Sequence, residues 1–530
     1  MAFFIPGSPH QRTDEQDSKE LSEGSLEENA MNLDATVVLN LPAFPADDRA
    51  AQDAVTGHIL GLVRRGMQVI VVCEADRDQI DEANRRASSL TPLAGVADRA
   101  TLLNAPATER TTDLADALRE SGIATSTVTA YPLARGAAVS AEPRRLPARS
   151  LAKAFETANV VVLPGGVGVD ELDGTPVNLG EDGAALTGVF VAGRLATPLV
   201  VARFADGPVG RLPRRANLLA RRLGVTPTDA VIDVPASTPR VIGDGVLAEW
   251  LRASYAIDES AVTDVDVIVD AGGAESVRDL PAVVLSPSVA ASLVAKGSKR
   301  TNVDVSPAAT GAIPALEAIR SLATEDEIVY VRLSASPGAA AAFDAAAVGA
   351  DSDDAILSAT DAGLSPWSAQ DELSGAIAAQ RLAVLASEAF GEAVDWRSIP
   401  TRGVEAVGTR EIEKTWAAGR RFRLVATAER REIAGGAREI RTRVGPVPVK
   451  ANSALATRGG FGAVEIGLAS GAVVTLRGGI SGWEALRVVA RRAAEELQRS
   501  ADRLPTVEVT TRPSVAPAEG ARSGPLGLIA

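Results

Sequence analysis

From residue 34 onward the chain alternates short apolar runs with longer amphipathic ones. ATVVLNL (35–41) predicts a strand, DDRAAQDAVTGHILGLVRRG a helix, and MQVIVVCEA, bounded by Gly66, a second strand. The pattern repeats with a helix over 112–121, a strand TSTVTAY, a helix over 149–157 and the strand NVVVLPGG. Strands apolar at consecutive positions are buried on both faces, so this order predicts a parallel or mostly parallel α/β sheet. A second α/β unit is expected to open with a strand over 198–204, followed by the helix PRRANLLARRLG and the strand DAVIDV. Further on, Gly375 and Gly391 bracket a run of helix formers in which Ile377, Arg381, Val384 and Glu388 share one face. From Arg421 the texture changes to antiparallel strands, closed by a helix GWEALRVVARRAAEELQRS.

At 530 residues the chain is too long for one core, and 46% hydrophobic content is enough to bury several. Residues 1–33 read as a disordered acidic tail, and 501–530, rich in Pro, Ala and Gly, as a second tail. A net charge of -14 argues against a nucleic-acid surface and against an anionic membrane. Arg194 and Arg203 interrupt the best apolar stretch, so no membrane span of about 18 residues is expected. One cysteine, Cys73, fits a reducing cytoplasm, and only His10 and His58 could supply imidazole. No metal site is expected, because Glu181 and Asp182 lack a third ligand. The arginines of ANLLARRLG and VVARRAAEEL read as solvated helix faces.

Two glycine clusters are candidates for a dinucleotide. The turn after strand 198–204 carries Gly207 and Gly210 where a G-x-G-x-x-G fingerprint would place its second and third glycines, with Ala205 at the first. Asp206 places a negative charge where a pyrophosphate would approach.

The run LAVLASEAFG (382–391) resembles the catalytic helix of homoserine dehydrogenase, whose pattern is close to G-x-D-x-x-x-K before an apolar run ending A-F-G. The resemblance continues through VDVIVDAGG, with Gly272 and Gly273, through Gly311, Ile313 and Pro314, and through FGAVEI and RGGISGWEA, with Gly478 and Gly479. It implies a Rossmann-type domain that binds NAD(P), with those four glycines beside the cofactor, and a dimer built on the 421–480 strands. The family's Asp falls on Ile377 and its Lys on Arg381, which becomes the catalytic candidate. Its asparagine loop reads Ser334-Ala335-Ser336-Pro337-Gly338, its substrate Glu falls on Pro366, and nearby acidic positions fall on Ser368 and Glu372. Residues 35–195 resemble the amino-acid kinase fold of aspartokinases, with the kinase Lys replaced by Asn40 and its glycine pair by Pro42-Ala43. Glu181, Asp182, Ala184 and Ala185 replace groups that would hold a triphosphate, so kinase activity is not expected.

The expected architecture is therefore α/β: an amino-acid-kinase-like domain (34–195), a Rossmann-like domain (196–305) and an α+β homoserine-dehydrogenase-like domain (306–500). The expected function is a catalytically degenerate relative of aspartate-pathway enzymes, acting in binding or assembly. Its partner would be a second copy or an active enzyme of that pathway. The alternative is a working NAD(P)-dependent oxidoreductase acting on homoserine, aspartate semialdehyde or a related substrate.

Overall fold

The computed structural model describes residues 36–503, apart from 46, 91–94, 129–131, 134–142, 147, 171–173, 181, 206–211, 235–236, 257–260, 270–280, 297–301, 352–353, 355–362 and 433–437. The two tails expected at the chain ends lie outside the described residues, except that the last helix extends to Arg503.

The first half forms β1 (Thr36–Leu41), α1 (Arg49–Arg64), β2 (Gln68–Cys73), α2 (Arg77–Ser89), α3 (Val96–Glu120), β3 (Thr125–Thr127), β4 (Pro132–Leu133), α4 (Ala148–Phe155), β5 (Val160–Pro164), β6 (Val167–Asp170), β7 (Pro176–Asn178), α5 (Gly183–Leu195), β8 (Leu199–Phe204), α6 (Arg214–Leu223) and β9 (Pro227–Ile232). Six strands make one parallel sheet in the order β3-β5-β2-β1-β8-β9, while β4, β6 and β7 form a small separate ribbon. Alternate residues of β1 and β2 face opposite layers. Val38, Ile70 and Val72 pack with α4, α5 and α6, whereas Val37, Leu39, Val69 and Val71 pack with α1 and α3. Burial on both faces explains the unbroken apolar runs.

Two features differ from the sequence reading. The helix expected over 112–121 is the end of the 25-residue α3, which carries Pro106 internally. The boundary expected at 195/196 falls inside the first sheet, because β8 pairs with β1 and β9 pairs with β8. Periodicity marks a strand but not the sheet it joins.

A second sheet follows, from β10 (Ser237–Ile242), α7 (Val246–Ala256), β11 (Ala261–Ile268), β12 (Ala282–Val284), α8 (Pro287–Ala295) and β13 (Val303–Asp304). Its strands are parallel and run in plain sequence, β10-β11-β12-β13. The short α9 (Ser306–Thr310) and α10 (Ala315–Glu325) lead into a five-stranded antiparallel sheet made of β14 (Ile328–Ser334), β15 (Arg420–Glu432), β16 (Arg438–Lys450), β17 (Phe461–Leu468) and β18 (Val473–Gly479), in the order β16-β15-β14-β17-β18. Between β14 and β15 lie α11 (Pro337–Ala347), α12 (Ala369–Ser374), α13 (Ala376–Phe390) and α14 (Thr409–Ala417).

The last helix, α15 (Trp483–Arg503), leaves the antiparallel sheet and covers the second one. Leu486, Ala490, Ala493 and Ala494 pack with Val265, Val267 and Val283, while Val488 and Val489 join the core under α1. The arginines of VVARRAAEEL are not the solvated face expected: Arg491 is 6% exposed and the Arg492 side chain 20%, and Arg487, just before the run, is 1% exposed. The Arg487 guanidinium donates to both oxygens of Asp53 on α1, at 2.8 and 2.7 Å, and to Glu484. At the other end of α1, Arg64 reaches Glu317 at 2.6 Å, Asp304 at 3.3 Å and Glu496 at 3.9 Å. Burial opposes the charge on both arginines, but their carboxylate partners outweigh it and hold both above the usual arginine range. The second arginine-rich run behaves as expected, with Arg221 and Arg222 exposed on α6.

Removing one partner of a buried pair leaves the other charge uncompensated, at about 3–5 kcal/mol. Asp53→Ala is therefore expected to lower the unfolding free energy by about 3 kcal/mol, since Glu484 still holds part of Arg487; urea denaturation measures it.

Candidate functional site

The helix α13 has buried side chains on all sides, from Ile377 through Ser387, with Glu388 exposed. It is wedged among α8, α9, α10 and the antiparallel sheet, so the amphipathic face expected from its sequence is instead a core position nearly all round. Arg381 is 0% exposed. Its guanidinium donates to the carbonyl of Ala335, to the carbonyl of Ile480 at 3.1 Å and to Ser481 Oγ at 3.0 Å. Burial lowers its pKa to about 10, and the nearby Glu372 carboxylate works against that fall. Glu372, itself 1% exposed, accepts from Ser365 Oγ at 2.8 Å and from Gly338 N at 3.3 Å. Burial raises the Glu372 pKa, while Arg381, Ser365 and Gly338 restrain the rise. The residue singled out as catalytic candidate thus ties the β14–α11 turn to the β18–α15 turn and faces no open cleft. Ile377, at 5% exposure, is core.

Gly478 and Gly479, expected beside a cofactor, make a backbone joint between the two halves. Gly479 N donates to Gly122 O at 2.5 Å, and Ala312 N donates to Gly479 O at 2.8 Å. A Cβ on Gly479 would lie 2.3 Å from Gly122 Cα, so only glycine allows this approach. Gly207, Gly210, Gly272 and Gly273 lie outside the described residues.

A better-placed fingerprint emerges from the fold. The second sheet opens β10–Gly243-Asp244-Gly245-Val246-Leu247-Ala248–α7, a strand-to-helix turn of the form G-x-G-x-x-A. Gly243 and Gly245 have φ of 128° and 93°, and Arg252 donates to the Gly243 carbonyl. A sequence search for a strand followed by G-x-G and a helix would have found it. The surroundings do not complete a dinucleotide site. Such sites lie where strand order reverses, with strands on both sides of the first one. Here β10 pairs only with β11 among the described residues, and the order never reverses. Among the described residues the Gly243–Ala248 turn offers one phosphate-sized cradle.

Of the kinase-like positions, Asn40 is buried with its Oδ1 unpartnered, and Gly188 of α5 packs against it. Gly165 and Gly166 press against Ala184 and Gly183 at the start of α5. Cys73 is a core thiol, as expected, pushed up to about 12 by burial.

The halves also enclose a cleft of about 790 Å³, whose lining includes Arg49, Arg119, Glu120, Trp250, Trp483 and Glu484. The Trp250 and Trp483 indoles meet edge to face with centroids 5.6 Å apart. Behind Asp53 lies a smaller cavity of about 140 Å³, lined by His58, Asp233, Arg491, Arg492 and Arg499 among others. Among the described residues no group of three or more His, Cys, Asp or Glu side chains could hold a metal, and no helix is long and apolar enough to cross a membrane.

Residues 314–485 match the family described as Homoserine dehydrogenase. The C-terminal half carries a homoserine-dehydrogenase-like domain. The match begins at Pro314; the kinase likeness expected of residues 34–195 rests on sequence motifs alone. Among solved structures, a homoserine dehydrogenase from Thiobacillus denitrificans aligns at 20% identity and TM-score 0.42, over 59% of this chain and 76% of that one. One from S. aureus aligns at 13% and 0.37, over 54% and 72%. A Candida auris protein of unknown function aligns at 15% and 0.37, over 50% and 99%. No curated protein matches the chain.

Two outcomes follow from these geometries. Arg381→Met, which strands Glu372 and three acceptors in the core, should cost about 3 kcal/mol or more in a denaturation titration. His58 has its pKa lowered from 6.5 by burial and then by Arg492 and Arg65, with Asp233 opposing. A histidine depressed on folding contributes stability above about pH 6.5, and that stability is lost as pH falls toward the folded pKa. Thermal melts between pH 7 and 5 should decline less in His58→Gln than in the wild type.

Proposed function

We propose that the chain is a catalytically degenerate, homoserine-dehydrogenase-like binding protein. The observation that carries this reading is the burial of Arg381. Oxidising an alcohol needs a group that takes a proton, and a guanidinium that stays protonated, sealed among carbonyls, does not serve. The homoserine dehydrogenase family is linked to NAD(P), but a four-stranded sheet without a reversal in strand order gives the adenosine half nowhere to sit. The cleft with its Trp pair and charges of both signs suits a small zwitterion with an apolar portion. Assembly with a second copy or with an active aspartate-pathway enzyme completes the proposal.

A second reading, an active NAD(P)-dependent oxidoreductase, is favoured by the Gly243–Ala248 turn. Calorimetric titration with NADP+ and NAD+ separates the two. Degeneracy predicts no heat at millimolar cofactor. Micromolar binding that Gly245→Asp removes would establish the oxidoreductase reading instead.

A further inference from the structure

Six arginines are buried among the described residues: Arg64, Arg110, Arg381, Arg423, Arg487 and Arg491. Five have partners. Arg64, Arg487 and Arg491 pair with carboxylates, Arg423 grips Asp344 with two nitrogens at 2.9 and 3.0 Å, and Arg381 holds three oxygens. Arg110 is the exception. It is 4% exposed, its Nη2 has no hydrogen-bond partner, and no carboxylate comes within 4 Å to form an ion pair among the described residues. Its guanidinium carbon lies 3.9 Å from the centroid of the Phe44 ring. Its neighbour Cys73 stays a neutral thiol. Asp113 and Asp76 act on Arg110 only from beyond ion-pair distance, and a ring face offsets only part of the cost of burying a cation.

The place is as informative as the missing partner. Arg110 continues the inward stripe of α3, one turn before Leu114 and two before Leu118, which lie in the core under the sheet. It therefore emerges at the carboxyl edge, beside Cys73 at the end of β2. Phe44, just past β1, meets Phe204 at the end of β8 with ring centroids 5.7 Å apart. The first sheet has the reversal that the second lacks. From β1 the order runs one way through β2 and β5 and the other way through β8 and β9. In open α/β sheets, ligands bind outside the carboxyl ends of the strands at such a reversal.

We propose that the carboxyl edge of the first sheet binds a small anionic metabolite whose phosphate or carboxylate group is the missing partner of Arg110. A guanidinium fork fits either group with two parallel hydrogen bonds. The site is separate from the cleft between the halves and does not rest on the function proposed for it.

Calorimetry and thermal melts of the full-length chain, with inorganic phosphate and with succinate as probes, test the assignment. Millimolar or tighter binding of at least one probe is expected, weakened tenfold or more in Arg110→Met; the probe that binds identifies the anion. In the ligand-free state, Arg110→Met should keep or raise the melting temperature by about 1 °C, because it removes an unpaired charge. A drop of several degrees, no binding of either probe, or equal binding by the variant would overturn the proposal. If Arg110→Met does not fold, Arg110→Lys decides. It keeps the charge without the fork, so at least fivefold weaker binding supports the site and unchanged affinity refutes it.

Discussion

The arrangement of the whole molecule depends on a charge buried between two helices. Arg487 of α15 lies on Asp53 of α1, and around that pair the apolar faces of two separate α/β sheets are brought together. Leu486 and Ala490 on one side of α15 complete the second sheet, and Val488 and Val489 on the other enter the core of the first. An apolar seam alone would tolerate sliding or rotation, since hydrophobic burial has no direction. Paired carboxylates at both ends of α1, Asp53 against α15 and Glu317 and Asp304 against Arg64, permit one register. Such pairs add little net stability and much specificity, because any other arrangement strands a charge. The Tyr255 hydroxyl, donating to the Arg487 carbonyl at 2.8 Å, fixes α7 to the same point.

That joint shapes what the homoserine-dehydrogenase-like domain can do. With α1 and α15 locked, the turn at Gly122 is pressed onto Gly479, and the β18–α15 turn is held over Arg381. Arg381 is thereby sealed among backbone carbonyls. A forked cation satisfies several carbonyls that a single ammonium could not span. Glu372 lies near Arg381 without touching it directly, its own oxygens being taken by Ser365 and Gly338.

The molecule satisfies buried charge wherever charge serves architecture, and Arg110 stands apart against that background. The first sheet has a reversal of strand order and an unpaired cation beside it; the second has a glycine turn but no reversal. In the homoserine-dehydrogenase-like half Arg381 is buried among backbone carbonyls, and in the first half Arg110 is buried against a ring face.

The sequence by itself determined the class of fold and most elements. The runs around β1, β2, β5 and β8 read as strands because both their faces are buried, and the four segments after Arg421 read as antiparallel strands. Only the tertiary structure decided which sheet β8 and β9 join, that α13 is buried all round, and that Arg487 and Arg491 lie in a core rather than in water. Several of these outcomes depend on contacts that span 99 residues, between Arg381 and Ile480, and up to 434, between Asp53 and Arg487, and local periodicity carries no information about a partner so far along the chain. The same holds for Arg110: its sequence neighbours are ordinary helix, and its lack of a partner is a fact of three dimensions alone.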